Sequence, residues 1–141
     1  MNAYLNPSDA QGASLFSKSG AGSVTMLNLL RFRDEADYSA SPELAPSGQS
    51  TGREAFRRYV DHTLPLLEQR GGELVLLADA DGWFIGPEDE QWDQVMLVRQ
   101  QSLQAFLAFA SDEEYLAGLG HRTAALTDSR LLPLFGTRAG T

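Results

Sequence analysis

The chain has two histidines, His62 and His121, and no cysteine. Imidazole is the side chain whose ordinary pKa lets it exchange a proton near neutrality, so acid–base chemistry is sought first at these two positions. His121 is followed by Arg122, whose planar guanidinium can hold a carboxylate or phosphate bidentately. The competing reading is that Arg122 ties the chain down by bonding Asp112, Glu113 or helix-end carbonyls. His62 falls about 140° from the centre of the apolar stripe of Phe56, Val60 and Leu67, which puts it on the exposed side of a helix and makes it a weaker base. Tyr59, one turn earlier and nearer the stripe, reads as half-buried packing.

Asn28 interrupts the apolar run Val24 to Phe32, where a side-chain amide is costly to bury unless it is hydrogen-bonded. It is either a ligand-orienting or oxyanion-binding donor, or a structural amide paired across the sheet or a dimer. Arg31 has the opposite strand parity, so it cannot share a site with Asn28 unless a bulge intervenes, and it reads more simply as a solvated strand end. Trp83 and Trp92 flank an acidic connection, each as the rim of a pocket or a dimer contact. Phe109, off the apolar stripe of its own helix, is expected to touch a partner chain. The ligand-binding candidates are therefore Asn28, Trp83, His121 and Arg122, with Arg31, Tyr59 and His62 behind them.

Other chemistries fail on spacing. Asp79, Asp81, Glu88, Asp89, Glu90 and Asp93 form an acidic stretch, but a calcium loop counted from Asp79 would need an oxygen ligand where Trp83 stands and glycine where Phe84 stands. The histidines have no carboxylate at helical spacing to complete a zinc motif, and without cysteine there is no thiolate site or thiol nucleophile. No Gly-rich phosphate loop, nucleophile elbow or catalytic carboxylate pair is present, so neither a metal nor a cofactor is expected.

The elements that must position these residues are legible from periodicity. Ser8 and Gln11 have capping-box spacing before a short helix to about Lys18, and Gly20 to Gly22 break the chain ahead of the strand Val24 to Phe32. A loop rich in Ser, Pro and Gly follows, over residues 34–50. Thr51 and Glu54 cap a helix carrying Phe56, Val60, Leu64 and Leu67 to about Gln69, with a kink or break expected at Pro65 and an end at Gly71-Gly72. Strands Glu73 to Ala80 and Gln94 to Arg99 form a hairpin. A second helical region, broken in two near a capping box of Ser111 and Glu114, precedes a strand from Ser129 to Phe135, whose Pro133 suits a sheet edge. The order β-α-β-β-α-β behind an N-terminal helical extension, residues 1–23, is the ferredoxin-like pattern: an α+β fold with a four-stranded antiparallel sheet.

Composition bounds the partners. The length of 141 residues and 43% hydrophobic content suit one globular domain, and a formal net charge of −8 repels nucleic-acid phosphates and anionic lipid alike. No stretch approaches the ~18 apolar residues of a membrane span, and nothing at the N-terminus reads as a signal for export, so a cytoplasmic protein is expected. Two helices cover only one face of such a sheet. A strand as apolar as Met26 to Leu30 implies that the other face is buried too, most simply against a second copy of the chain.

Three segments, VTMLNLLRFR at Val24 to Arg33, QRGGELV at Gln69 to Val75 and SLQAFLAFASDEEYLAGLGHRTAALTDSRLLP at Ser102 to Pro133, resemble the small bacterial proteins grouped as domain of unknown function 1330, within the dimeric α/β-barrel superfamily. The resemblance implies that fold, a homodimer and a cavity, but no agreed catalytic set, since similar shapes serve cofactor-free monooxygenases, isomerases and haem-degrading proteins. The expectation is a homodimer that binds a small, partly apolar molecule and, if it turns it over, does so by proton transfer or oxygen chemistry without a cofactor. The alternative is a non-catalytic accessory or stress protein whose interior is filled by its own side chains.

Overall fold

Strand β1, Val24–Phe32, is the spine of the sheet and alternates strictly between two environments. Val24, Met26, Asn28 and Leu30 are buried, whereas Thr25, Leu27 and Leu29 are half-buried and Arg31 is exposed. The computed structural model describes residues 3–17 and 22–136. Along them follow helix α1, Asp9–Phe16, then β1, a 3-10 turn at Pro42–Leu44, α2 at Gly52–Gln69, β2 at Glu73–Asp79 and β3 at Gln94–Gln100. Three short helices, α3 (Leu103–Ala110), α4 (Glu113–Ala117) and α5 (Leu119–Ala125), lead into β4, Leu126–Leu134. All pairings are antiparallel in the order β2-β3-β1-β4, which with helices on one face is the ferredoxin-like arrangement.

The local signals explain the boundaries. Ser8 caps α1 and Thr51 caps α2, each hydroxyl accepting the third backbone N–H while Gln11 or Glu54 reaches back to the cap. The expected extension of the first helix to Lys18, and the break at Gly20, lie outside the described residues. Gly71, at φ 83°, turns the chain out of α2 through the left-handed region. No break occurs at Pro65. The lost N–H bond is outweighed by the face α2 buries through Ala55, Phe56, Tyr59, Thr63, Leu66 and Leu67, so the helix continues to Gln69.

The second helical region departs further from expectation. Ser111 is the C-cap of α3, and Asp112 caps α4 instead, its carboxylate accepting from the N–H groups of both Glu114 and Tyr115. His121 and Arg122 do not follow the last helix but stand on it, in α5. β4 begins at Leu126, directly after α5, rather than at Ser129. It lies on the sheet edge, as Pro133 requires.

The core joins sheet and helices. Leu30 and Met96 pack with Ala55, Phe56 and Tyr59 of α2 and Ala124 and Ala125 of α5, while Val24 and Met26 pack with Leu103 of α3. The N-terminal segment closes this arrangement. Leu5 joins the first cluster and Leu15 the second, and the Tyr4 N–H donates to Asp128 Oδ1 at 2.8 Å along the outer edge of β4. The Ser129 hydroxyl donates in turn to Tyr4 O.

Among the described residues, no helix packs on the opposite face. Register places Leu27 and Leu29 of β1, Val95 and Leu97 of β3, Leu76 and Ala78 of β2 and Leu132 and Leu134 of β4 on it. Leu76 is 46% exposed and Leu132 55%. Ion pairs rim it, Arg99 with Glu73 at 3.1 Å and Arg130 with Asp128 at 2.7 Å.

Candidate functional site

The long loop is pinned to the helices rather than free. Backbone N–H groups of Arg33 and Asp37 donate to the α5 carbonyls of Ala125 and Ala124 at 2.7 and 2.9 Å, and Ala36 donates to Ser50 at 2.8 Å. Gly120 lets α5 approach the loop, since a Cβ there would lie 2.5 Å from Ser41 Oγ. Tyr38 is thereby brought against His121.

At this junction Tyr38 Oη lies 2.8 Å from His121 Nδ1, with the rings edge to face. Arg58, from α2, donates through Nη1 to Tyr38 Oη at 3.1 Å and to Ser50 Oγ at 2.9 Å. Burial pushes the His121 pKa down, and the charges of Arg58 and His62 push the same way. A neutral imidazole is thus favoured. With the phenol oxygen accepting from Arg58, the Tyr38 proton is placed to donate to Nδ1, which leaves the hydrogen of His121 on Nε2.

Arg122 points the other way from the same helix. Its Nη1 donates to Leu5 O at 3.4 Å and its Nη2 to Ser129 Oγ at 3.5 Å, both at the long end of hydrogen-bond geometry. Neither partner is among the groups expected for a tie within the helical region. Arg53, Arg70, Arg99 and Arg130 each pair with a carboxylate, whereas half-buried Arg33, Arg58 and Arg122 form no ion pair among the described residues. Beside it Tyr59 is 6% exposed, its Oη 2.9 Å from Tyr115 Oη. Burial foremost, then the neighbouring Tyr115, raises the Tyr59 pKa well above the usual tyrosine range, while the Arg122 charge opposes the rise. Tyr59 is more deeply buried than half-buried packing implies.

The other candidates stand apart. Asn28 faces the helices, and its amide donates to Met26 O of its own strand at 3.3 Å and to Met96 O of β3 at 3.2 Å, the second bond tying β1 to β3. Arg31 lies on the opposite face, as parity requires, in an open depression of about 350 Å³ with Phe32, Asp34 and Thr127. His62 is half-buried rather than largely exposed: its ring lies over Gly118, and its Nε2 donates to Glu114 O at 2.6 Å. Trp83 borders a second open hollow, of about 380 Å³, with Gly86 and Gln91 in the β2–β3 connection. Trp92 is 6% exposed beneath Arg130. Phe109 needs no partner chain, because it is buried among Leu66, Leu67 and Tyr115 of its own chain.

Tyr38, Arg58 and Tyr115 were not singled out from sequence. Tyr115 stands in the resembling segment Ser102 to Pro133, and an aromatic residue in a Ser- and Pro-rich loop is the one signal for Tyr38. Nothing in the helical pattern marks Arg58.

No protein-family model matches the chain, and no curated protein matches it. Among solved structures, it is similar to an uncharacterised NIPSNAP domain protein from Burkholderia xenovorans, 14% identical over 84% of this chain and 97% of that one, with a TM-score of 0.51. It is also similar to a dimeric protein of unknown function with a ferredoxin-like fold from Bacteroides fragilis, 11% identical over 81% of this chain and 96% of that one, with a TM-score of 0.52. At those identities the likeness establishes the fold. A far stronger likeness, at a TM-score of 0.85 and 32% identity, covers all of this chain and all of the methylated RPA0582 protein. A second structure of RPA0582, described as a protein of unknown function from Rhodopseudomonas palustris, is 31% identical over 97% of this chain and 99% of that one, again with a TM-score of 0.85. The chain belongs to the family of the RPA0582 protein.

Proposed function

We propose that this protein is a cytoplasmic, single-domain homodimer that binds a small, partly apolar molecule bearing an anionic group, and that Arg122 receives that group. Its half-buried guanidinium, held by two long hydrogen bonds and by no carboxylate among the described residues, carries the proposal. Charge withdrawn from water without a counter-ion is unfavourable, and two long bonds to neutral oxygens compensate little of it. A ligand carboxylate supplies the missing partner. Any reaction of the isomerase kind is proton transfer at the separate Tyr38–His121 junction, Tyr38 Oη taking up a substrate proton as its own passes to Nδ1 of neutral His121.

The dimer reading is supported by the uncovered apolar face, and with the resembling segments it argues for the dimeric α/β-barrel assembly of the domain 1330 proteins. A second reading, a non-catalytic accessory protein, draws on the hydrogen bonds of Asn28, Tyr59 and Arg122, which already occupy donors that a ligand would use.

Benzoate as the anionic probe, with benzamide as its neutral twin, separates the readings in thermal-shift and calorimetric titrations. Stabilisation by benzoate alone, lost in Arg122→Met, supports the binding site; no response to either favours the accessory reading. Hydrogen exchange at the methylene of phenylpyruvate in heavy water, faster than in buffer and lost in His121→Ala, tests the proton transfer.

A further inference from the structure

The β2–β3 connection, residues 80–93, leaves the edge strand β2 just beyond Ala78, which lies on the bare face. Near its base, Trp92 lies under Arg130, whose guanidinium is 4.9 Å from the ring centroid, and Glu90 pairs with Arg130 at 3.7 Å. Further out, the Trp83 indole N–H donates to Glu90 O at 2.5 Å, and the ring lies so close to Gly86 that a Cβ there would come within 2.6 Å of it. This closure leaves the next two residues projecting: Phe84 is 99% exposed and Ile85 86%. A loop latched by its own indole presents them in a set position, which lowers the ordering cost of any contact they make.

We propose that the Phe84-Ile85 tip is an interaction arm that docks on a second copy of this chain and extends the sheet-to-sheet interface; the inference rests on the dimer reading above. The area argues for it. Strands of seven to nine residues at ~3.3 Å per residue, four of them ~4.8 Å apart, make a face of roughly 25 by 19 Å, about 500 Å². A stable interface buries about 800 Å² on each partner, so the sheet alone falls short. The arm begins on that face and carries large apolar groups, of which a phenylalanine alone buries about 150–250 Å². Charge selects the occupant. Asp81, Glu88 and Asp89 flank the tip and repel anionic lipid locally, whereas the partner's bare face offers leucines and the exposed guanidinium of Arg31.

The absence of cysteine makes the test direct, because Phe84→Cys creates a unique thiol. The variant is labelled with benzophenone maleimide, mixed with an isotope-labelled copy and irradiated at micromolar concentration, while light scattering reports the mass of the same sample. The expected result is a crosslinked species near twice 15.4 kDa whose mapped peptides join the two isotopic forms. A dimer by scattering whose label reacts only within its own chain, or not at all, overturns the arm while leaving the dimer standing. A monomer by scattering for the wild type removes both. Sedimentation of the unlabelled Phe84→Ser/Ile85→Ser variant guards against interference from the label: a dimer dissociation constant at least tenfold higher than that of the wild type supports the arm, and an unchanged constant refutes it.

Discussion

Replacing Arg122 by methionine separates a ligand anchor from a structural tie. Methionine keeps the length and apolar stem while removing the charge and both donors. The bonds lost, at 3.4 and 3.5 Å to neutral oxygens, are together worth at most about 1 kcal/mol. Against this stands the relief of a half-buried cation with no carboxylate, about 1–2 kcal/mol once partial exposure is discounted. The two nearly cancel, so Tm by differential scanning calorimetry should stay level or rise, at about 3 °C per kcal/mol for a chain of this size. In the wild type, benzoate at a hundred times its Kd should add about 2.7 kcal/mol, and in the variant that gain should vanish. A fall in Tm of more than about 6 °C, or benzoate stabilisation surviving in Arg122→Met, refutes the reasoning, because the guanidinium would then be holding Leu5 and Ser129 rather than awaiting an anion.

Two further outcomes follow from the packing. Arg58→Met should move the His121 pKa up toward its ordinary 6.5, read from one of two histidine resonances in an NMR titration; an unmoved value contradicts the electrostatic coupling. The sign carries over to stability. A histidine whose folded pKa is depressed binds fewer protons folded than unfolded, so its contribution is full above pH 6.5 and is lost as pH falls from there through the folded pKa, less so in Arg58→Met. Phe109→Ala should cost about 3–5 kcal/mol by creating a cavity among Leu66, Leu67 and Tyr115, equally at low and high protein concentration in denaturant titrations. A cost that appears only where the protein associates would return Phe109 to an interface.

Local signals were the legible ones. Ser8 with Gln11 and Thr51 with Glu54 sit within one helical turn of each other, so spacing alone locates both caps. The third was misplaced by one residue because the carboxylate of Asp112 outcompetes the Ser111 hydroxyl, which bonds back to Leu107 O instead. Alternation along β1 separated Asn28 from Arg31, but not which parity the helices cover, and that decided where the amide of Asn28 goes. Phe109 looked unpartnered on the wheel of α3 because the packing that buries it comes from α2 and from Tyr115 in α4. The Tyr38–Arg58–His121 junction joins a loop and two helices, and the strap from Tyr4 to Ser129 spans nearly the whole chain. Such long-range contacts have no periodic signature.

Everything proposed for the assembly depends on a sheet with helices on one side and leucines on the other. The most direct test is multi-angle light scattering of the wild-type protein across the micromolar range. A molar mass near twice 15.4 kDa throughout is the predicted result. A steady 15.4 kDa would mean that water covers Leu27, Leu76, Leu97 and Leu132, and the account would be wrong.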